Sequence, residues 1–269
     1  MQPYDIVIKN GTILTMDAHN RILLDGIVGI RNDSIALVRE SAGDRLPDAS
    51  VVIDAEGGLI LPGLINGHTH AAMTFFRGLA DDLPLIDWLN NFIFPVERNM
   101  DADFVYGGTL LGCAEMILSG TTTFCDMYLF EDQVARAAKA AGVRCLAGEV
   151  LYDFPSPNYG PIEKGLEYTE ALIARWKDDP LISIAVEPHS PYTCSPELLR
   201  SASEIACRHN VPLIIHLAET RDEIAQVRER TGRSPVEHLA DLGVLGNHLI
   251  APHCVHLTEA DMLLIADSG

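Results

Sequence analysis

From residue 59 onward, short apolar runs alternate with helical patterns, and this alternation constrains the fold more than any other feature of the sequence. The runs expected to form buried parallel strands are LILPGLIN (59–66), TTTFCDM (121–127), VRCLAGEV (143–150), ISIAVEP (182–188), VPLIIHLA (211–218) and HLIAPHC (248–254). Helical patterns follow them at 101–118, 131–141, 162–177, 196–209 and 221–231, and another begins near Thr258. Strands that alternate with helices in this way predict an α/β domain with a parallel sheet and right-handed crossovers.

Six β/α units fit between residue 59 and the end of the sequence at residue 269. A doubly wound sheet can be complete with six units. A (β/α)8 barrel typically needs about 250 residues, so a barrel built from residues 59–269 would lack two units. The alternation alone leaves both architectures open.

Residues 4–54 have a different pattern, with short β segments and no helical periodicity between them. Turn signals mark these segments, among them Asn10-Gly11 and Asn32-Asp33. The sequence therefore predicts a small β module over residues 1–58, ahead of the α/β domain over residues 59–269.

Histidines occur at the ends of several predicted strands, which is where α/β folds collect their chemistry. His68 and His70 follow the first strand, and because side chains in a strand alternate between faces, both imidazoles would point the same way. His189, His216 and His253 follow the fourth, fifth and sixth strands. A lone histidine is more often a structural residue, but several strand ends that converge on one rim favour a metal site.

Imidazole nitrogens are ligands for zinc, iron, nickel or copper, and zinc is the usual ion in hydrolytic sites. We expect one divalent metal ion, Zn2+ with Fe2+ or Ni2+ as alternatives, held by His68, His70 and His216. Glu219, three residues beyond His216, would act on the substrate beside the activated water. A second metal bridged by a carbamylated lysine is not expected, because no lysine follows a predicted strand.

The formal net charge of −19 narrows the class of ligand. Nucleic acids and anionic membranes are recognised through clustered lysine and arginine, so neither is an expected partner.

The six cysteines form no CxxC pair, and we expect them to be reduced thiols in a cytoplasmic protein. No apolar run approaches the roughly 20 residues that span a bilayer.

Four motifs, PGLINGHTH, PHSPYTCSPELL, HLAET and APHCVHL, occur in this order and resemble the amidohydrolase superfamily. Within it they are most similar to the 5-methylthioadenosine/S-adenosylhomocysteine deaminases and to related aminohydrolases and chlorohydrolases. The resemblance implies a (β/α)8 TIM-like barrel of the metal-dependent hydrolase type, with about six units present. It also implies that the N-terminal module is a β-sandwich completed by strands returning from the C-terminus.

The resemblance also implies a role for each matching residue. His68, His70 and His216 would bind the metal, while Glu219 would protonate the purine ring nitrogen and relay a proton to the departing amine. His253 would orient or polarise the attacking water. The positions that match substrate contacts of the family are Glu97, His189 and Trp88. The implied reaction is hydrolytic deamination of an adenosine-type nucleoside (5-methylthioadenosine, S-adenosylhomocysteine or adenosine), which gives the inosine analogue and ammonia.

The sequence departs from the family in two places. Glu149 stands in the stretch where some relatives carry an arginine for the polar portion of the nucleoside, which weakens the case for S-adenosylhomocysteine. The aspartate ligand of the eighth strand is absent, and we expect the chain to be a fragment of a longer protein.

Other activities stay open at this stage. A related aminohydrolase or chlorohydrolase could act on guanine, cytosine or s-triazines through the same metal residues. An inactive scaffold that binds metal or nucleoside is the alternative from another class. Relatives are often oligomeric, so a homo-oligomer is also among the expectations.

Overall fold

The computed structural model describes residues 3–43 and 45–269, and the chain divides into two compact units, Met1–Gly63 and Leu64–Gly269. The predicted boundary lies earlier, between residues 58 and 59. The two positions differ because Leu59–Ile60 forms a short strand that pairs with the first strand of the N-terminal unit. No helix among the described residues is long and apolar enough to cross a membrane.

The N-terminal unit is one five-stranded sheet with the order β3-β2-β1-β4, in which β5 also pairs with β1. Its strands are β1 (Tyr4–Leu14), β2 (Ile22–Arg31), β3 (Ser34–Glu40), β4 (Ala49–Asp54) and β5 (Leu59–Ile60). Asn32 adopts φ 55° and begins the predicted hairpin turn between β2 and β3. The turn expected at Asn10-Gly11 is wrong, because this pair lies inside β1, where the register against β2 shifts in a bulge.

The second unit is built on parallel strands that follow one another in chain order. They are β6 (Leu64–Thr69), β7 (Thr121–Tyr128), β8 (Arg144–Leu151), β9 (Ile182–Ile184), β10 (Glu187–Pro188), β11 (Leu213–Ile214) and β12 (Leu249–Ile250). The pairs β6–β7, β7–β8, β8–β9, β8–β10 and β11–β12 are all parallel. Strands β9 and β10 together occupy the fourth predicted strand, 182–188, and a parallel bridge between Val186 and Leu213 connects this strand to β11. The predicted sequence of six parallel strand positions is thereby confirmed.

The helices between these strands begin and end close to the predicted positions. They are α3 (Ala102–Leu118), α4 (Glu131–Ala141), α5 (Ile162–Trp176), α6 (Pro196–His209), α7 (Arg221–Thr231), α8 (Pro235–Asp241) and α9 (Glu259–Asp267). Ser195 is the N-cap of α6, as predicted, and its side chain accepts a hydrogen bond from Leu198 N. The prediction missed α8, although Ser234 and Glu237 form a capping box at its start.

Short helical turns occupy the long connection between β6 and α3. They comprise a 3-10 helix at Ala71–Phe76, α1 (Leu85–Trp88), a π-helical turn at Leu89–Ile93 and α2 (Phe94–Glu97). No helix or strand was predicted in this connection. It carries Trp88 and Glu97, two of the predicted substrate contacts.

The core of the second unit lies where the sheet packs against its helices. Phe124 and Leu151 on the central strands are fully buried, and Leu199 of α6 and Ile215 after β11 are buried with them. Strands buried on both faces read as continuous apolar runs, which is why β7 and β8 were recognisable in the sequence. This packing fixes the carboxyl ends of the strands, where the predicted site residues lie.

Candidate metal centre and substrate pocket

Three of the predicted residues meet at the carboxyl ends of the strands. His68 and His70 belong to the end of β6, and His216 follows β11. One ring nitrogen from each lies within 4.8 Å of the others. His68 Nε2 and His216 Nε2 are 3.1 Å apart. The structure thus brings together the three side chains that were expected to hold the metal.

Backbone carbonyls of neighbouring strands orient two of these rings. The Met127 carbonyl accepts a hydrogen bond from His70 Nδ1, and the His189 carbonyl accepts one from His216 Nδ1 at 2.9 Å. A carbonyl oxygen can only accept, so each Nδ1 carries the hydrogen and each Nε2 presents a lone pair. His68 Nδ1 is buried without a hydrogen-bond partner among the described residues. Zinc binds the lone pairs of imidazole nitrogens, and a metal-binding histidine usually donates its other ring N–H to a backbone carbonyl or a carboxylate. His70 and His216 have this arrangement, so the residues fit a metal ion such as zinc.

Burial keeps these imidazoles neutral. Burial, together with smaller contributions from the nearby His70 and His253, lowers the pKa of His68 to about 3. Burial likewise lowers the pKa of His70 and, together with the surrounding histidines, that of His216. A neutral imidazole is the form that ligates metal, so the low pKa values favour the ligating state.

Glu219 and His253 lie beside the three histidines. Glu219 Oε2 is 3.7 Å from His253 Nε2, and the His253 ring lies 5.2 Å from that of His68. The Glu223 carboxylate accepts hydrogen bonds from Ala218 N at 2.9 Å and Glu219 N at 2.8 Å, which fixes the backbone that carries Glu219. Ala218 and His253 both have positive φ, at 53° and 75°. Such strained backbone clusters at functional sites.

A pocket opens next to His70. Its lining includes the three predicted substrate contacts together with aromatic and apolar residues: Glu97, Trp88, His189, Tyr128, Tyr152 and Phe94. Glu97 is buried, and Tyr128 donates its hydroxyl hydrogen to Glu97 Oε1 at 2.8 Å. Burial raises the pKa of Glu97, and this hydrogen bond partly offsets the effect. An aromatic pocket with a few fixed polar groups suits a flat heterocyclic ligand.

The environment of Glu149 differs from the one that the sequence suggested. Its carboxylate does not line the pocket but accepts hydrogen bonds from Phe130 N and Glu131 N at the start of α4, and from Asn158 Nδ2 in the connection between β8 and α5. The same strand contributes Val150 to the pocket, and Tyr152 follows it there. Glu149 therefore bears on the position of α4 rather than on the substrate.

Sequence reasoning also missed Asp126. This fully buried residue of β7 accepts a hydrogen bond through Oδ1 from Ala71 N at 2.6 Å, immediately after His70. The available signal was an acidic residue inside the otherwise uncharged strand TTTFCDM. Asp126 and the Met127 carbonyl together hold both the backbone and the ring of the His70 region.

Comparisons with known proteins agree with this geometry. Residues 59–269 match the Amidohydrolase family. The 5-methylthioadenosine/S-adenosylhomocysteine deaminase of Syntrophobacter fumaroxidans is 59% identical over 268 residues, which are 98% of this chain and 61% of that protein. A 5-methylthioadenosine/S-adenosylhomocysteine deaminase 1 from Syntrophus aciditrophicus is 51% identical over 100% of this chain and 61% of its own length. An adenosine deaminase from Xanthomonas campestris, solved with bound zinc, has a TM-score of 0.95 and 36% identity over 100% of this chain and 62% of that one.

The chain spans 61% of the length of these curated relatives. Its parallel strands follow those of the solved relative closely enough to confirm a partial TIM-like barrel preceded by a β module. The doubly wound alternative is thereby set aside. From the match over residues 59–269 and the likeness of the whole chain to a solved relative, the chain belongs to the Amidohydrolase family.

Proposed function

We propose that the full-length protein is a metal-dependent deaminase of adenosine-type nucleosides. Water would replace the 6-amino group of 5-methylthioadenosine, S-adenosylhomocysteine or adenosine, giving the inosine analogue and ammonia. The observation that carries the proposal is the convergence of His68, His70 and His216 beside an aromatic pocket. The names of the relatives, deaminases of these nucleosides, support the choice of substrate class.

One divalent ion, Zn2+ with Fe2+ or Ni2+ as alternatives, would be held by His68, His70 and His216. Zinc in such a site supplies a water of lowered pKa and an electrophile for the developing negative charge. The chain's own contribution is to present neutral Nε2 atoms, which it does through the backbone carbonyls that accept from His70 and His216.

Glu219 and His253 are the proposed catalytic residues. Glu219 would carry one proton of the attacking water to the purine ring nitrogen, and would then carry the second proton, from the new hydroxyl group, to the amine that leaves as ammonia. His253, 3.7 Å from the Glu219 carboxylate, would orient the water by a hydrogen bond. The Glu223 carboxylate accepts hydrogen bonds from Ala218 N and Glu219 N, which supports this role because it holds the backbone at Glu219 without engaging the Glu219 carboxylate.

Glu97, His189 and Trp88 are the proposed substrate contacts in the pocket. The Glu97 carboxylate is suited to accept from ribose hydroxyls, and the Trp88 ring offers a flat apolar surface. We further infer a cytoplasmic protein that binds neither nucleic acid nor membrane, because its cysteines are free thiols and its net charge is −19. A homo-oligomer stays a prediction that rests on the resemblance to oligomeric relatives.

The test is ammonia release from 5-methylthioadenosine, S-adenosylhomocysteine, adenosine, guanine and a chlorotriazine with zinc supplied. It is run on the 269-residue chain and on the full-length protein. Glu219→Gln in the full-length protein should lower kcat by about 10²–10⁴-fold while bound zinc stays near stoichiometric. Glu229→Gln, an exposed change on α7, is the matched control and should leave both unchanged.

Other results of these assays would favour a different role for Glu219 or a different activity for the protein. Loss of zinc in Glu219→Gln would make Glu219 a ligand instead of a proton carrier. Turnover of the chlorotriazine or of guanine in preference to nucleosides would move the protein to a related hydrolase activity. Zinc binding without turnover by either form would favour the inactive scaffold.

A further inference from the structure

The turn between β10 and α6 places two hydroxyl groups around one nitrogen of His189. Thr193 Oγ1 lies 2.9 Å and Ser190 Oγ 3.1 Å from His189 Nδ1, and the two hydroxyl oxygens are 2.7 Å apart. Ser190 is fully buried, and His189 lines the pocket. Because this turn engages Nδ1, the nitrogen left to face the pocket is Nε2.

The hydrogens of this cluster can be assigned by asking which arrangement leaves no donor unpaired. If His189 Nδ1 is bare, the Thr193 hydroxyl donates to it at 2.9 Å and the Ser190 hydroxyl donates to Thr193 Oγ1 at 2.7 Å. Ser190 Oγ then accepts the Thr193 backbone N–H at 3.3 Å. Every donor has a partner in this arrangement.

The opposite tautomer satisfies the cluster less well. If Nδ1 carried the hydrogen, Thr193 Oγ1 would accept it and the Thr193 hydroxyl would have to turn away. Donation to Ser190 Oγ would leave the hydrogen of that buried hydroxyl with only the Tyr192 hydroxyl to bond to, a weaker contact than the 2.7 Å bond to Thr193 Oγ1 that it would give up. Donation to the Ser190 carbonyl would span 3.4 Å, longer than an ordinary O–H···O bond. Leaving a buried donor unpaired costs more than one weak hydrogen bond returns.

We propose that Ser190 and Thr193 are positioning residues that hold His189 in the tautomer with its hydrogen on Nε2. His189 then presents a hydrogen-bond donor to the pocket and selects ligands with an acceptor, such as a ring nitrogen, at that point. The identity of the acceptor rests on the proposed deaminase function, whereas the tautomer does not. The His189 carbonyl accepts a hydrogen bond from His216 Nδ1. The same turn therefore orients the His189 ring towards the pocket and the ring of His216, a proposed metal ligand.

The tautomer is measured directly on the 269-residue chain, with and without zinc. Histidine labelled with 15N gives well-separated shifts for bare and protonated ring nitrogens, and His189→Gln assigns the signals by their loss. We expect His189 to show a bare Nδ1 and a protonated Nε2. Thr193→Val should shift the population toward protonated Nδ1, and Thr193→Ser should restore the original pattern. A protonated Nδ1 in the unaltered chain, or no change in Thr193→Val, overturns the proposal.

The consequence for binding is measured on the full-length protein. Thr193→Val should raise KM for the nucleoside roughly three- to tenfold with little change in kcat, the range expected for weakening one neutral hydrogen bond. Thr193→Ser should restore KM. Thr169→Val is the matched control, because Thr169 is buried on α5 with an unbonded hydroxyl and should leave KM unchanged. An unchanged KM in Thr193→Val overturns the positioning role. Absence of turnover in the unaltered protein, with the expected tautomer present, contradicts the deaminase function alone.

Discussion

Glu187 occupies a position where a carboxyl group is costly, and its replacement should stabilise the protein. It lies on β10, is fully buried, and neither carboxyl oxygen has a hydrogen-bond partner among the described residues. Gly148 on β8 makes room for it, since a Cβ there would come within 2.3 Å of Glu187 Cδ. Burial, followed by the nearby Asp126 and Glu149, raises the pKa of Glu187 well above its ordinary value.

The raised pKa fixes the sign of the pH dependence. The ordinary pKa of glutamate is 4.5, and the pKa of Glu187 in the folded chain lies well above it. Between these two pKa values Glu187 is still protonated in the folded chain, whereas the same carboxyl group has lost its proton in the unfolded chain. Its free energy of unfolding therefore falls as pH rises from there toward the folded pKa. Glu187→Met keeps the length of the side chain and removes the polar group. A buried polar group without a partner costs about 1–3 kcal/mol, so the variant should be more stable by about that much at pH 8.

The assay is thermal and urea unfolding of the metal-free chain at pH 5 and pH 8. For a chain of this size, each kcal/mol corresponds to roughly 2–4 °C in Tm. The gain from Glu187→Met should be large at pH 8 and smaller at pH 5. Glu204→Met, an exposed change on α6, controls for added surface hydrophobicity. The reasoning is refuted if Glu187→Met is less stable than the unaltered chain at pH 8, or if its gain is the same at both pH values.

Three further changes test other parts of the structure. His68→Ala should abolish stoichiometric zinc binding, measured by elemental analysis after dialysis; retained zinc would remove His68 from the ligand set. Ser234→Ala deletes the N-cap of α8 and its hydrogen bond to the buried Asp261, and should lower the unfolding free energy by about 1–2 kcal/mol in urea titrations. An unchanged midpoint would show that the capping box contributes little. His189→Ala should retain zinc, because the bond to His216 Nδ1 comes from the backbone, while nucleoside binding in the full-length protein weakens; loss of zinc would contradict that account.

The elements with strong periodicity could be predicted from the sequence. Helix α6 has Ser195 and Pro196 at its start and an amphipathic pattern, and its observed bounds equal the predicted ones. The strand of 211–218 shortened to Leu213–Ile214, because the chain turns into the site at His216 and leaves regular pairing. The connection between β6 and α3 could not be predicted, since its short turns depend on tertiary packing more than on periodicity.

The residues of the candidate site also include some that could be predicted from the sequence and some that could not. Strand alternation and strand-end position were enough to select His68, His70 and His216, because a parallel sheet gathers its carboxyl ends at one edge. The local pattern marked Asp126 only as an acidic residue in an otherwise uncharged strand and gave no signal for its partner. It gave no signal for the turn hydroxyls, because their contacts depend on one loop conformation. Residues that hold the ligands in place are therefore harder to predict than the ligands themselves.

Two of the candidate metal ligands are oriented by hydrogen bonds to backbone carbonyls. The carbonyls of Met127 and His189, on the neighbouring strand β7 and just after β10, select the Nδ1–H tautomers of His70 and His216. A substitution at either position keeps the carbonyl, so the tautomers persist as long as the strands hold their register. The orientation of these two imidazoles is thus tied to the pairing of the sheet, and the side chains at these positions are free to line the pocket. Met127 and His189 both do so, so one pair of strand ends orients two of the candidate ligands with its backbone and lines the pocket with its side chains.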